Sequence, residues 1–175
     1  DGTLSTKTVT VTQNITNNSE ITSDTVLANN DLENNGNLNA ATSVQANNIT
    51  NSGSMNVVTT NVGGSLTDSG TWAENGIINF VGEGEQTFAP NISTTYKTVN
   101  VNKTSGTFTA TTNPLKVGTL NLESPENNFV QVIANFVNLT NAGNTTFEGN
   151  VTCDQTLTIT NATQTTFNES VEISS

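Results

Sequence analysis

The chain repeats itself every seventeen residues from its first positions to Trp72, and that period limits what it can fold into. Four lines align without gaps: NNSEITSDTVLANNDLE from Asn17, NNGNLNAATSVQANNIT from Asn34, NSGSMNVVTTNVGGSLT from Asn51 and DSGTW from Asp68. Asn17, Asn34, Asn51 and Asp68 share the first column, Ser19, Gly36, Gly53 and Gly70 the third, and Ile21, Leu38, Met55 and Trp72 the fifth. Thr25, Thr42 and Thr59 share the ninth column, and Leu32, Ile49 and Leu66 the sixteenth; in the line from Asn34, Val44 sits where its neighbours suggest Ser43, so one corner there is expected to slip by a residue. Gly2, Leu4, Thr8 and Ile15 extend the third, fifth, ninth and sixteenth columns backwards. Fixed columns for apolar side chains mean one supersecondary unit copied along an axis.

Length and residue type identify the unit. Seventeen residues are too few for a helix pair, and helix formers are scarce beside Thr, Val, Asn and Gly. Short runs of period two, such as Thr8-Val9-Thr10-Val11 and Leu38-Asn39-Ala40, lie between clusters of Asn, Asp, Ser and Gly, the pattern of short strands joined by turns. One turn of a single-stranded parallel β-helix has this size. Each rung stacks on the next at about 4.8 Å, with like residues directly above and below one another.

The register weakens between Gly70 and Gln86, where Trp72, Ile77, Ile78, Phe80 and Val81 crowd together and a wider rung or inserted strand is expected. Clean alternation returns from Tyr96 to Leu122, with Pro114 and Pro125 at the boundaries of its runs. From Asn138 the period is twenty: Leu139 matches Ile159, Asn141 matches Asn161, Phe147 matches Phe167 and Val151 matches Val171. The reading is therefore one continuous all-β solenoid over 1–175, with regular rungs at 1–67, irregular wider rungs at 68–137 and twenty-residue rungs at 138–175. Its circumference grows towards the C-terminal end, and nine or ten rungs give a rod of roughly 45 Å. The predicted core ladder is Leu4, Ile15, Ile21, Leu32, Leu38, Ile49, Met55, Leu66, Trp72, Phe147, Val151, Phe167 and Val171. Asp1 already sits in register and Glu172-Ile173-Ser174-Ser175 stop in mid-pattern. Because a solenoid needs caps to hide its end edges, a mature fragment or an excised piece of a longer protein is expected.

Only 32% of the residues are hydrophobic and 11% charged, marginal for a globular core. A solenoid needs only a thin inward file, and stacked Asn, Thr and Ser can bond to one another along the turns. The net charge of −11, with no His or Arg, excludes a nucleic-acid surface and an anionic membrane surface. No apolar run of about 18 residues exists for direct membrane insertion. Cys153 is the single cysteine, read as a buried rung thiol because no His is present to activate it.

No catalytic, metal or cofactor site is expected. Polysaccharide lyases and hydrolases occur on β-helices, but they need clustered cations or paired carboxylates. Lys7, Lys97, Lys103 and Lys116 are scattered; Glu83 and Glu85 share one turn, and Glu148 faces Asn168 in register. Asp24, Asp31, Asp68 and Asp154 fall in different columns, unlike a calcium repeat. Gly82-Glu83-Gly84-Glu85-Gln86 lacks the Lys-Ser/Thr of a phosphate loop and reads as a tight turn. Thr8, Thr25, Thr42 and Thr59 form one file, but the file beside it reads Thr10, Leu27, Val44, Asn61, so the flat two-column Thr lattice of an ice-binding face is absent. Sequons such as Asn14 and Asn48 occur about as often as this composition produces by chance.

The lines Asn34-Asn35-Gly36-Asn37-Leu38-Asn39-Ala40 and Asn51-Ser52-Gly53-Ser54-Met55-Asn56 resemble the repeats of filamentous haemagglutinin-type proteins and autotransporter passenger domains of bacteria. Ile78-Asn79-Phe80 through Gln86-Thr87-Phe88, followed by Tyr96 to Lys103, is similar to modules of large bacterial surface proteins. The resemblance implies a right-handed parallel β-helix, secreted or on the extracellular side of the outer membrane, with an adhesive or stalk role. The implied partner is a host cell-surface or extracellular-matrix molecule or a glycan, and no functional residue carries over. The expected contact surface is a set of exposed files of Asn and Thr, with occasional aromatics such as Tyr96. Two alternatives are a carbohydrate-active or carbohydrate-binding, tailspike-like β-helix and a filament subunit that stacks end to end on itself.

Overall fold

A computed structural model describes residues 2–174 as a parallel β-solenoid with no helix among them. Asp1 and Ser175, named above at the ends of the register, lie outside the described residues. The strands form one twelve-stranded and one nine-stranded sheet, and neighbouring strands in each are parallel.

Each coil makes three runs. In the coil after Ile15, the run Ile15–Asn17 belongs to the nine-stranded sheet and the long strand Glu20–Ala28 to the twelve-stranded one. Along that long strand Ile21 and Ser23 are buried, Asp24 is exposed, and Val26 and Ala28 are buried. A spacing of three between inward residues breaks the period of two, so the strand turns a corner at Asp24. The larger sheet thus supplies a first face, represented by 20–23, and a second face, represented by 25–28. The smaller sheet is the third face.

The predicted columns are aligned in space. Leu4 pairs with Ile21, Ile21 with Leu38, Leu38 with Met55 and Met55 with Trp72. Ile15, Leu32, Ile49 and Leu66 stack in the third face, as do Phe147 on Phe167; Val151 pairs with Val171 in the first face. Ten of these side chains are buried. The other three keep their columns without full burial: Leu4 is 47% exposed, Val171 is 39% exposed and Phe167 is half-buried. They occupy outermost described coils, where no second layer covers them, which corrects the expectation of a buried ladder at those three positions.

Coil length does not grow steadily towards the C-terminal end, as the two periods imply. Leu66 pairs with Phe88, twenty-two positions on, while Leu120 pairs with Val137, seventeen on, and Phe147 with Phe167, twenty on. The rod swells in its middle and narrows again. Wider coils enclose more space, and the sequence fills it with rings: Phe80 lies 5.4 Å from Phe88 and 4.7 Å from Phe108, and Phe88 lies 5.1 Å from Tyr96. The narrow coils use Ala28, Val44, Ala46 and Val57 instead. Side-chain volume therefore tracks coil girth, as close packing demands.

A buried amide ladder locks the corner between the third and first faces. Asn17 Nδ2 donates to Asn34 Oδ1 at 2.7 Å, Asn34 to Asn51 at 2.8 Å and Asn51 to Asp68 Oδ1 at 2.8 Å. The second N–H of each Asn donates to a backbone carbonyl, those of Asn37, Ser54 and Thr71. Both amide hydrogens are thereby used. Next to this ladder the chain at Gly53 passes so close to the coil below that a Cβ would strike the carbonyl oxygen of Gly36. That contact explains the glycine column.

An open amide file and groove on the second face

The second face presents two outward columns. One reads Thr8, Thr25, Ser43, Thr59, Ile77, Thr98, Thr119, Phe136 and Thr156. The other reads Thr10, Leu27, Gln45, Asn61, Asn79, Asn100, Asn121, Asn138 and Thr158. Two positions differ from the gap-free alignment. Ser43, not Thr42, lies between Thr25 and Thr59, and Gln45, not Val44, follows Leu27; Val44 is buried between Val26 and Thr60. The cause is a β-bulge, since two residues separate Ala40 from Ser43 where one separates Ser23 from Thr25. The corner after Ala46 is one residue shorter, which restores the count of seventeen by Ile49.

From Asn61 to Asn138 the second column is an unbroken amide file. Asn79 donates to Asn61 at 2.9 Å, Asn100 to Asn79 at 2.8 Å, Asn121 to Asn100 at 2.7 Å and Asn138 to Asn121 at 2.9 Å. Each link consumes one N–H and one oxygen lone pair, so each internal amide keeps a second N–H and a second lone pair. This contrasts with the buried ladder, whose second hydrogens are tied to carbonyls.

The file forms the floor of a groove. Asn79, Asn100, Asn121 and Asn138 line a hollow of about 290 Å³ whose side is built by Val81, Asn102, Glu123 and Thr140, the residues that turn the next corner. A second hollow of about 460 Å³, lined by Gln45, Asn47 and Asn61, also borders Val81. Glu123 is the one charged residue lining either hollow. The geometry is on the surface, extended, amide-rich and free of cations.

No family model, curated protein or solved structure matches this chain.

The other residues singled out in the sequence are placed elsewhere. Tyr96, expected as a surface contact, is fully buried, because it fills a wide coil beside Trp72 and Phe88. Its hydroxyl donates to Asp68 Oδ2 at 2.6 Å and accepts the Asn91 N–H at 2.9 Å. Burial, then the Asp68 charge and the bond to it, push the Tyr96 hydroxyl far above its usual pKa. Burial also raises Asp68, against the lowering effect of the bonds from Tyr96, Asn51 and Gly70.

Lys103 is buried, and its Nζ donates to the carbonyls of Gly82 and Gly84 and to Gln86 Oε1, at 3.4, 2.7 and 3.0 Å. The Gly82–Gln86 turn thus points carbonyl oxygens at an internal cation, the reverse of a phosphate cradle. Glu83 and Glu85 are exposed on that turn. Gly84 carries a positive φ of 81°, and Gly106, φ 74°, stacks directly on it. Lys97 bonds Asn75 Oδ1 and Lys116 the Ile92 carbonyl, so the lysines do not converge. Asn168 donates to Glu148 at 2.7 Å, and the paired Asn141 and Asn161 both adopt positive φ. Cys153 is a buried free thiol whose Sγ lies 3.2 Å from the Asn135 carbonyl. No cluster of His, Cys, Asp and Glu that could hold a metal is found among the described residues.

The amide file went unseen in the sequence because its members are 18, 21, 21 and 17 positions apart, so no fixed period aligns them. A local string marks it. Ile77-Ile78-Asn79-Phe80, Thr98-Val99-Asn100-Val101, Thr119-Leu120-Asn121-Leu122 and Phe136-Val137-Asn138-Leu139 each set one Asn between two inward residues.

Proposed function

We propose that the chain is a non-catalytic segment of a secreted or cell-surface bacterial adhesin, a stiff rod that carries an attachment surface along its length. The observation that carries this reading is the second-face amide file, which repeats one polar function over successive coils instead of converging different groups in one pocket. A solenoid suits such work because each coil contacts only its neighbours and the binding surface lengthens with coil number. The resemblance of the Asn34 and Asn51 lines to bacterial haemagglutinin-type repeats supports a surface location. The dispersed acidic charge suits a soluble exterior.

Beads coated with the protein, passed over cultured host cells and immobilised extracellular-matrix proteins under flow, test the reading. Retention above that of albumin-coated beads is the expected result. Absence of retention on every surface overturns the adhesive role and leaves the rod as a spacer.

A further inference from the structure

We infer that the second-face groove is a binding site for an uncharged, linear glycan lying along the coil axis. This deepens the attachment role proposed above and names its ligand class.

The first support is the difference between the two ladders. Both are built of Asn amides linked side chain to side chain, but the buried one spends its second hydrogens on the carbonyls of Asn37, Ser54 and Thr71, and the outer one does not. A half-exposed amide with a free donor and a free acceptor on the same group matches a sugar hydroxyl, which also gives one hydrogen and accepts another. Successive amides repeat at the coil spacing of about 4.8 Å. A polymer of similar units can therefore meet the same group at each step.

Charge narrows the ligand. The groove lining contains no Lys, and its single ionisable residue is Glu123. A uronic acid, sulfate or phosphate polymer would bring anions to Glu123 and to a chain whose net charge is −11. Neutral hydroxyls have no such cost. An extended peptide is less well matched, because its groups that face one way recur about every 6.6 Å, out of step with the coil spacing of the amides.

An exposed ring supplies the second support. Phe136 stands on the same face two residues before Asn138, in the outward column otherwise held chiefly by Thr, and it is 37% exposed. An aromatic side chain left in water beside a hydrogen-bonding file offers a platform for the apolar face of a sugar ring. Val81, 53% exposed and lining both hollows, plays a smaller apolar part.

Native electrophoresis through gels containing glucomannan, hydroxyethyl cellulose or polygalacturonate tests this, with a mixture of unstructured peptides added as competitor. Expected are retardation by at least one neutral polymer, none by polygalacturonate, and no relief by peptides. The double variant Asn100→Thr/Asn121→Thr, which keeps strand-forming residues, should weaken the apparent affinity at least tenfold while unfolding only slightly earlier than wild type and as cooperatively, and Phe136→Thr should also weaken it. Asn39→Thr/Asn56→Thr, on the first face, should leave it unaltered. Retardation by neither neutral polymer, equal retardation by polygalacturonate, relief by peptides, or retention of affinity in the groove variant would each overturn the assignment. Retained beads in the adhesion assay, together with no retardation, would sink the glycan site while leaving the adhesive role standing.

Discussion

The Tyr96 hydroxyl reaches back twenty-eight residues to donate to Asp68 Oδ2 at 2.6 Å, and this bond explains why the buried amide column ends in an acid. Asn17, Asn34 and Asn51 each donate towards the next coil, so the last member receives a hydrogen from Asn51 on one oxygen and from Tyr96 on the other. A carboxylate accepts on both oxygens, whereas an amide would turn a donor towards one of those donors.

Tyr96→Phe strips that carboxylate of a donor and should cost about 2 to 3 kcal/mol in urea unfolding at neutral pH. The pH dependence follows from the raised pKa of the tyrosine. Folded Tyr96 holds its proton above its ordinary value of 10.0, so its contribution is fully present below pH 10 and is lost as the pH climbs further. Wild-type protein should therefore lose stability faster than Tyr96→Phe above pH 10. Parallel curves for the two proteins would show that the Tyr96 hydroxyl does not control alkaline unfolding.

Leu38→Asn should destabilise by about 2 to 5 kcal/mol, as a fully buried side chain gives way to an amide without partners. Asn37→Ser, one residue away on the exposed side, should be near neutral, because the bond from Asn17 goes to the Asn37 backbone carbonyl. Thermal unfolding of the pair reads the inward assignment directly.

The two amide files should differ in worth. Asn34→Ala breaks two buried links and leaves groups of Asn17 and Asn51 unpaired, so a loss of about 2 to 4 kcal/mol is expected. Asn121→Ala removes two links at a half-exposed site where water can replace them, with an expected loss below about 1 kcal/mol. Similar losses in chemical denaturation would contradict the distinction between a closed and an open ladder.

Thr60→Val should raise stability by about 1 kcal/mol. Thr60 Oγ1 is buried without a hydrogen-bond partner, and the column on either side of it holds Val44 and Ile78. A methyl group in place of that hydroxyl removes a desolvated polar atom without changing the shape. A higher denaturation midpoint with an unchanged slope is the measurement.

Much of the fold was legible because a stacked chain writes its contacts into its period. Ile21, Leu38 and Met55 had to lie in one column once the seventeen-residue lines aligned, and they do. The slip expected near Val44 is there, but the outward files still ran through Thr42 and Val44 instead of Ser43 and Gln45, because a bulge and a shortened corner cancel within one coil and leave the total length undisturbed. Tyr96 was misread as a surface residue because girth is not a property of any single position. Only when Leu66 is seen to pair with Phe88 is the space that Tyr96 fills apparent. The groove was hidden for the same reason, since its asparagines belong to coils of different length and share a local string instead of a common interval.

Unequal loops also give the middle storeys of the tower a footprint different from that of the first ones. Sliding one part of the chain by a single step would lift the loop of twenty-two residues from Phe88 to Ala110 off its equally long neighbour, Leu66 to Phe88, and set it over one of seventeen, Ile49 to Leu66. Side chains chosen for the larger perimeter would then overhang the smaller one, and the mismatch would repeat around the whole circuit. Irregularity in the middle of the rod therefore acts as an address, telling each newly folded loop which neighbour is its own.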